Sequence, residues 1–119
     1  MREVRIGEKT IRVRATALAL LYYRQEFKSD FIGDLTKLQY AGDDVSQFDS
    51  IVCLQITWAM AKADNFGKPF PPFETWLAEL DSIDFGDENF LLAVLEEAGE
   101  GFFRGSASEA KPKPKGRRS

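Results

Sequence analysis

Residues 3–28 read EVRIGEKTIRVRATALALLYYRQEFK, and within them the spacing of apolar side chains changes once. Up to Arg14 the spacing is two. Val4, Ile6, Ile11 and Val13 fall on one face and Glu3, Arg5, Arg12 and Arg14 on the other, as half-buried strands require. Gly7-Glu8 fits a two-residue hairpin turn that opens with glycine at a position of positive φ. Past Arg14 the pattern lengthens. Thr16 is a good N-cap, and Ala17 to Lys28 runs without Gly or Pro through Leu18, Leu20, Leu21, Tyr22, Tyr23 and Phe27, which predicts a helix over 17–28. A hairpin over 2–14 followed at once by a helix points to an α+β fold. Two strands alone are marginal in water, so the Val/Ile face must rest on helices or on strands of another chain. The unpaired edge is then a docking site and a route to self-association.

Helical spacing recurs downstream. Ser29 or Asp30 can cap a segment over 30–40 in which Phe31, Leu35 and Leu38 lie at i, i+4 and i+7, with Ile32 widening the stripe. Gly33 weakens that helix without ending it. After Ala41-Gly42-Asp43-Asp44, residues 45–63 align Phe48, Val52, Ile56 and Ala59, with Ile51, Leu54 and Trp58 alongside. So wide an apolar arc predicts the central helix, covered on more than one side. Asn65 to Pro72 holds Gly67 and three of the five prolines, so it is read as an ordered surface loop. Phe73, Trp76, Leu77 and Leu80 mark a short helix over 73–80. Leu91, Val94, Leu95 and Ala98 mark a last one over 87–98, with Asp87 as its N-cap and Gly99 as its C-terminal cap. From residue 99 the composition turns to Gly, Ser, Ala, Lys and Pro, and such a segment buries too little apolar surface to offset its ordering entropy. The reading is a single folded domain over 1–98, one β-hairpin packed on a bundle of about five helices and mainly α, followed by a disordered basic tail over 99–119. The expected core is Val4, Ile6, Ile11, Val13, Leu20, Leu21, Phe27, Leu35, Val52, Ile56, Trp58, Trp76, Leu77, Leu91 and Leu95.

Composition narrows the function. The 119 residues have room for one core, and 44% hydrophobic residues with ten Phe exclude a wholly disordered chain. Histidine is absent, which removes the commonest general base and metal ligand at neutral pH. The one cysteine, Cys53, allows neither an internal disulfide nor a thiolate cluster, and its place among Val52 and Leu54 predicts a buried, inert thiol. Asp43, Asp44 and Asp49, and likewise Asp81, Asp84, Asp87 and Glu88, miss the ligand spacing of a calcium loop and are read as caps and solvated loops. No catalytic, cofactor or metal site is expected, and the chain is read as a protein that binds other proteins. The longest apolar stretch, Ala15 to Tyr23, is too short to span a bilayer, and no signal-like segment opens the chain. A soluble cytoplasmic protein with no membrane partner is expected.

Net charge is uneven along the chain. Residues 1–98 carry ten Lys/Arg against seventeen Asp/Glu, a balance of −7, and residues 99–119 carry six against two, a balance of +4. The candidate partner-binding residues are Arg5, Arg12 and Arg14 on the outer hairpin face, Phe102 and Phe103, and the tail cations Lys111, Lys113, Lys115, Arg117 and Arg118. Phe102-Phe103 has two readings, a pair folded back on the domain or an anchor ordered by a partner. The basic tail allows a small nucleic-acid-associated regulator as the alternative function, but the acidic body repels a polyanion and no nucleic-acid-binding motif is present. The aromatics Tyr22, Tyr23, Phe27, Trp58, Phe73 and Trp76 could line a pocket, and at helical spacing they are read as core.

The succession VRIGEKTIRVR, RATALALLYYRQEFKSDFIGDLTKL and PPFETWLAELDSIDF resembles the tail assembly chaperones of long-tailed bacteriophages and prophages, over about residues 4–98. The shared features are an N-terminal hairpin, an Ala-Thr lead into a Tyr/Arg/Phe helix, a Phe-Ile-x-Asp-Leu segment, a central helix containing Ala and Met, and a short Trp-containing helix. The resemblance implies a helper that keeps the tape measure protein soluble in the bacterial host cytoplasm and aids tail tube subunits in polymerising around it. It implies departure before the virion is complete, and in many members a ribosomal frameshift that yields a longer product, of which this chain looks like the shorter counterpart. No binding residue carries over, because the shared pattern marks fold positions.

Overall fold

A computed structural model of the chain describes residues 1–7, 9–40, 49–80, 83 and 88–103. Two antiparallel strands, β1 (Arg2–Ile6) and β2 (Lys9–Val13), precede five helices: α1 (Ala17–Phe27), α2 (Phe31–Tyr40), α3 (Ser50–Asp64), α4 (Phe73–Ala78) and α5 (Glu88–Phe102). The α+β, mainly helical class is therefore as expected. In the hairpin Ile6 pairs with Lys9 and Arg2 with Val13. The connection opens at Gly7 with φ 59°, a left-handed conformation that glycine adopts without penalty.

Local chemistry sets the helix ends. Lys28 ends α1 in a left-handed conformation at φ 57°, its N–H donating to the Arg24 carbonyl at 2.9 Å. Asp30 Oδ2 accepts from the Gly33 N–H at 2.7 Å, and Asp49 Oδ1 accepts from Ile51 and Val52 at 3.1 and 3.2 Å. Caps of this kind stabilise a helix by about 1 kcal/mol each. Pro72 precedes α4 and offers no such oxygen, and Glu26 of α1 supplies it instead, its Oε2 accepting from the Phe73 N–H at 3.0 Å. Thr16 stands at the N-cap of α1 but makes no capping bond, and its hydroxyl is buried without a partner among the described residues.

The core is built around α3, in which Cys53, Leu54, Ile56, Thr57 and the run from Trp58 to Ala61 are buried. It packs on α1, α2, α4, α5 and β2, while β1 lies on α5, so the hairpin roofs the groove between α3 and α5. Val4, Ile6 and Val13 are buried beneath that roof, and Ile11 partly so.

Three expectations change. Leu21 is 50% exposed because α1 turns Ala19 and Tyr23 inward, and a residue two places from Ala19 sits about 200° around the axis. Leu20, Phe27, Val52, Leu77, Leu91 and Leu95 are only partly buried and line the core's margin. The central helix α3 starts at Ser50, where Asp49 caps it, and residues 45–48 of the expected helix lie outside the described residues. The last helix passes through Gly99 and Gly101 to Phe102, so the folded unit reaches Phe103 and not residue 98. Tertiary contact overrides the usual stop signal there. A Cβ on Gly101 would lie 2.3 Å from Ala15 Cβ, so only glycine lets the helix end press on the start of α1, and Phe102 reaches Phe31 at 5.2 Å between ring centroids. Residues 104–119, expected to be a disordered tail, lie outside the described residues, as do Phe48, Asp43, Asp44, Asp81, Asp84 and Asp87.

Candidate interaction surface

The aromatic side chains form a continuous interior chain. Phe102, Phe31, Tyr23, Phe27, Phe73 and Trp76 follow one another at centroid separations of 4.9 to 6.2 Å, and Trp58 joins at Phe27. Most contacts are edge-to-face, the arrangement that the ring quadrupole favours. Trp58 Nε1 donates to the Pro71 carbonyl at 3.0 Å, tying the 65–72 loop to α3, and the Lys62 ammonium lies 4.6 Å from the Tyr22 ring. These rings pack against one another as core.

The buried Tyr23 hydroxyl is likewise engaged. The Tyr23 hydroxyl donates to Asp34 Oδ2 at 2.8 Å, and Ser29 donates to the same oxygen at 2.8 Å. Burial first, then the Asp34 carboxylate, push the Tyr23 phenol upward, so it stays protonated. Burial alone pushes the Cys53 thiol up to about 12, which makes the residue the inert thiol expected. Among the described residues no three acidic or thiol groups converge as metal ligands would.

The outer hairpin cations occupy different situations. Arg12 and Arg14 converge on Asp64 at the C-terminal end of α3, with N···O separations of 3.3 and 3.1 Å. Arg5 only reaches the Gly7 carbonyl at 3.4 Å. Phe102 and Phe103 are partly buried against the core, so the pair folds back on the domain, which is the first of its two readings. The tail cations Lys111, Lys113, Lys115, Arg117 and Arg118 lie outside the described residues.

Two carboxylates that spacing alone passed over organise this surface. Glu97 is nearly buried and accepts from the Ala15 N–H at 3.0 Å, while Arg2 lies 3.7 Å from it and reaches Glu100 at 2.9 Å and Glu96 at 3.3 Å. Its signal was present: Phe90, Val94, Glu97, Ala98 and Gly101 share one helical line, which puts an acid on the buried stripe. Asp64 had a signal too, as an acid in the last turn of a helix, where the macrodipole disfavours it unless cations compensate.

Neither a protein-family model, nor a curated protein, nor a solved structure matches this chain. The surface must speak for itself. Its charge is divided: residues 1–14 carry five Lys/Arg against two Asp/Glu, a balance of +3, and residues 15–98 carry five against fifteen, a balance of −10. Between β2, the end of α3, the 65–72 loop and α4 lies a groove of about 350 Å³, with Ile11, Phe70, Pro71, Trp76 and Leu80 among its walls and Lys9, Arg12, Asp64 and Glu79 at its polar positions. Phe66, next to the groove residue Asn65 in the chain, is 68% exposed. Chemically this surface offers backbone hydrogen bonds, apolar contact and positive charge, which are means of binding. No helix among the described residues is long and apolar enough to cross a membrane.

Proposed function

We propose that this protein is a bacteriophage tail assembly chaperone, which binds the tape measure protein and tail tube subunits during tail morphogenesis and performs no catalysis. One observation carries the reading. The sequence features shared with that family fall one per element and in family order: the hairpin on β1 and β2, Tyr22-Tyr23-Arg24 with Phe27 on α1, Phe31-Ile32-x-Asp34-Leu35 on α2, Ala59-Met60-Ala61 on α3 and Trp76 on α4. Their apolar members Tyr23, Phe31, Leu35, Ala59, Met60, Ala61 and Trp76 are buried, which supports reading the shared features as fold positions.

The chemistry suits the role. An acidic body resists self-association in the host cytoplasm, and a basic hairpin with an unpaired edge offers a long, aggregation-prone client a place to rest before the chaperone leaves the assembling tail. The nucleic-acid alternative has less support, because residues 15–98, with a balance of −10, repel a polyanion. Co-expression with the tape measure protein that this reading implies is encoded nearby tests the proposal. The expected result is a several-fold rise in soluble tape measure protein; an unchanged soluble fraction, or DNA binding that weakens steeply with salt, speaks for the rival.

A further inference from the structure

The hairpin register decides which backbone groups of β2 are free. Ile6 and Lys9 close the turn, so Lys9, Ile11 and Val13 exchange hydrogen bonds with β1, and the N–H and C=O groups of Thr10 and Arg12 point the other way. The next outward donor in this series, Arg14, gives its N–H to the Met60 carbonyl at 3.0 Å. Thr10 and Arg12 give theirs to no described residue. This two-residue stretch of open edge borders the groove described above, where Ile11, Phe70, Trp76 and Leu80 supply apolar walls.

Three properties select the occupant. Outward N–H and C=O groups at alternate residues match an extended strand. The groove walls Ile11, Phe70, Trp76 and Leu80 also select apolar side chains on the face of that strand turned toward them. Finally, β2 carries Lys9, Arg12 and, just beyond it, Arg14, with no acidic residue, so a second copy pairing antiparallel along this edge would set cation against cation. We infer that the Thr10–Arg12 edge of β2 binds an extended segment of a different protein, one that alternates acidic with apolar side chains and adds a third strand to the hairpin. The acidic side chains lie on the outer face with Arg12 and Arg14, and the apolar ones, on the Ile11 face, enter the groove beside Trp76 and Leu80. This goes beyond the tail-assembly reading and does not depend on it, since any client with such a segment would serve.

The test is a random dodecapeptide library displayed against the full chain, with no phage protein present, so its outcome is separate from the tape measure experiment. Enriched peptides should alternate apolar residues with Asp or Glu. On titrating one of them, the Thr10 and Arg12 amides should shift in NMR spectra and gain protection from hydrogen exchange. Thr10→Pro removes an outward donor and none of the bonds to β1, a position where an edge strand accepts proline, and should weaken binding at least tenfold. Arg12→Gln should weaken it several-fold while leaving the circular dichroism unchanged, and it keeps the test decisive should the proline variant fold poorly. Peptides with apolar residues three and four apart, basic peptides, no enrichment, equal binding to both variants, or a concentration-dependent dimer that Thr10→Pro abolishes would each overturn the proposal.

Discussion

The two strands of the hairpin are fastened to the helices by the same kind of chemistry with the numbers reversed. On the β1 side one arginine, Arg2, meets three carboxylates of α5, of which Glu97 is 8% exposed and also holds the Ala15 N–H. On the β2 side two arginines, Arg12 and Arg14, with side chains 54% and 44% exposed, meet the single carboxylate of Asp64. The first fastening is tied to buried backbone and sits beside the tight Gly101–Ala15 contact. In the second, Asp64 is also 8% exposed, but among the described residues it holds no backbone N–H of the hairpin and its two arginines already touch water. The difference shows which side of the roof is structural and which is open to a visitor.

Four substitutions break or sharpen this contrast. The largest effect is expected for Glu97→Ala, which orphans the Ala15 N–H and removes the buried partner of Arg2, and should destabilise the fold by about 3 kcal/mol in urea unfolding. Next comes Gly101→Ala. Its new methyl would meet Ala15 Cβ at 2.3 Å and the Ala15 carbonyl oxygen at 2.6 Å, and the strain should outweigh the gain in helix propensity, for a net loss of about 1–2 kcal/mol. Asp64→Ala frees two arginines that already touch water and relieves an acid at a helix C-terminus, so the loss should be smaller, about 1 kcal/mol or less. A result for Asp64 as large as that for Glu97 would erase the distinction between the two sides. The smallest effect has the opposite sign: Gly99→Ala meets nothing within 4 Å and should stabilise the protein by up to about 1 kcal/mol, visible as a rise of a few degrees in Tm.

What the amino-acid sequence revealed follows from which interactions are local. The alternation of Val4, Ile6, Ile11 and Val13 and the glycine at residue 7 specify the hairpin without reference to the rest of the chain, and the hairpin forms as expected. Helical spacing located all five helices for the same reason. It failed at the end of α5 because Gly99 and Gly101 are stop signals only for an isolated helix, and here Phe102 gains a ring contact with Phe31 by continuing. Leu21 misled because α1 has apolar residues on more than one face, so hydrophobicity alone did not say which face turns in. The groove was hidden more deeply. Its walls come from β2, α3, the 65–72 loop and α4, and no periodicity within one element reports on their meeting. Of the candidate partner-binding residues, Arg12 borders that groove, whereas Phe102 and Phe103 serve the interior.

The hydrogen bond from Ala15 to Glu97 joins residues 82 apart in sequence. Closing so long a span costs more chain entropy than forming the hairpin or any one helix, so this join is expected to form late in folding. Interactions made after the rate-limiting step govern how fast a protein comes undone and have little bearing on how fast it is made. The acid on the buried face of the last helix is therefore expected to act on unfolding: Glu97→Ala should speed unfolding more than it slows refolding in stopped-flow kinetics.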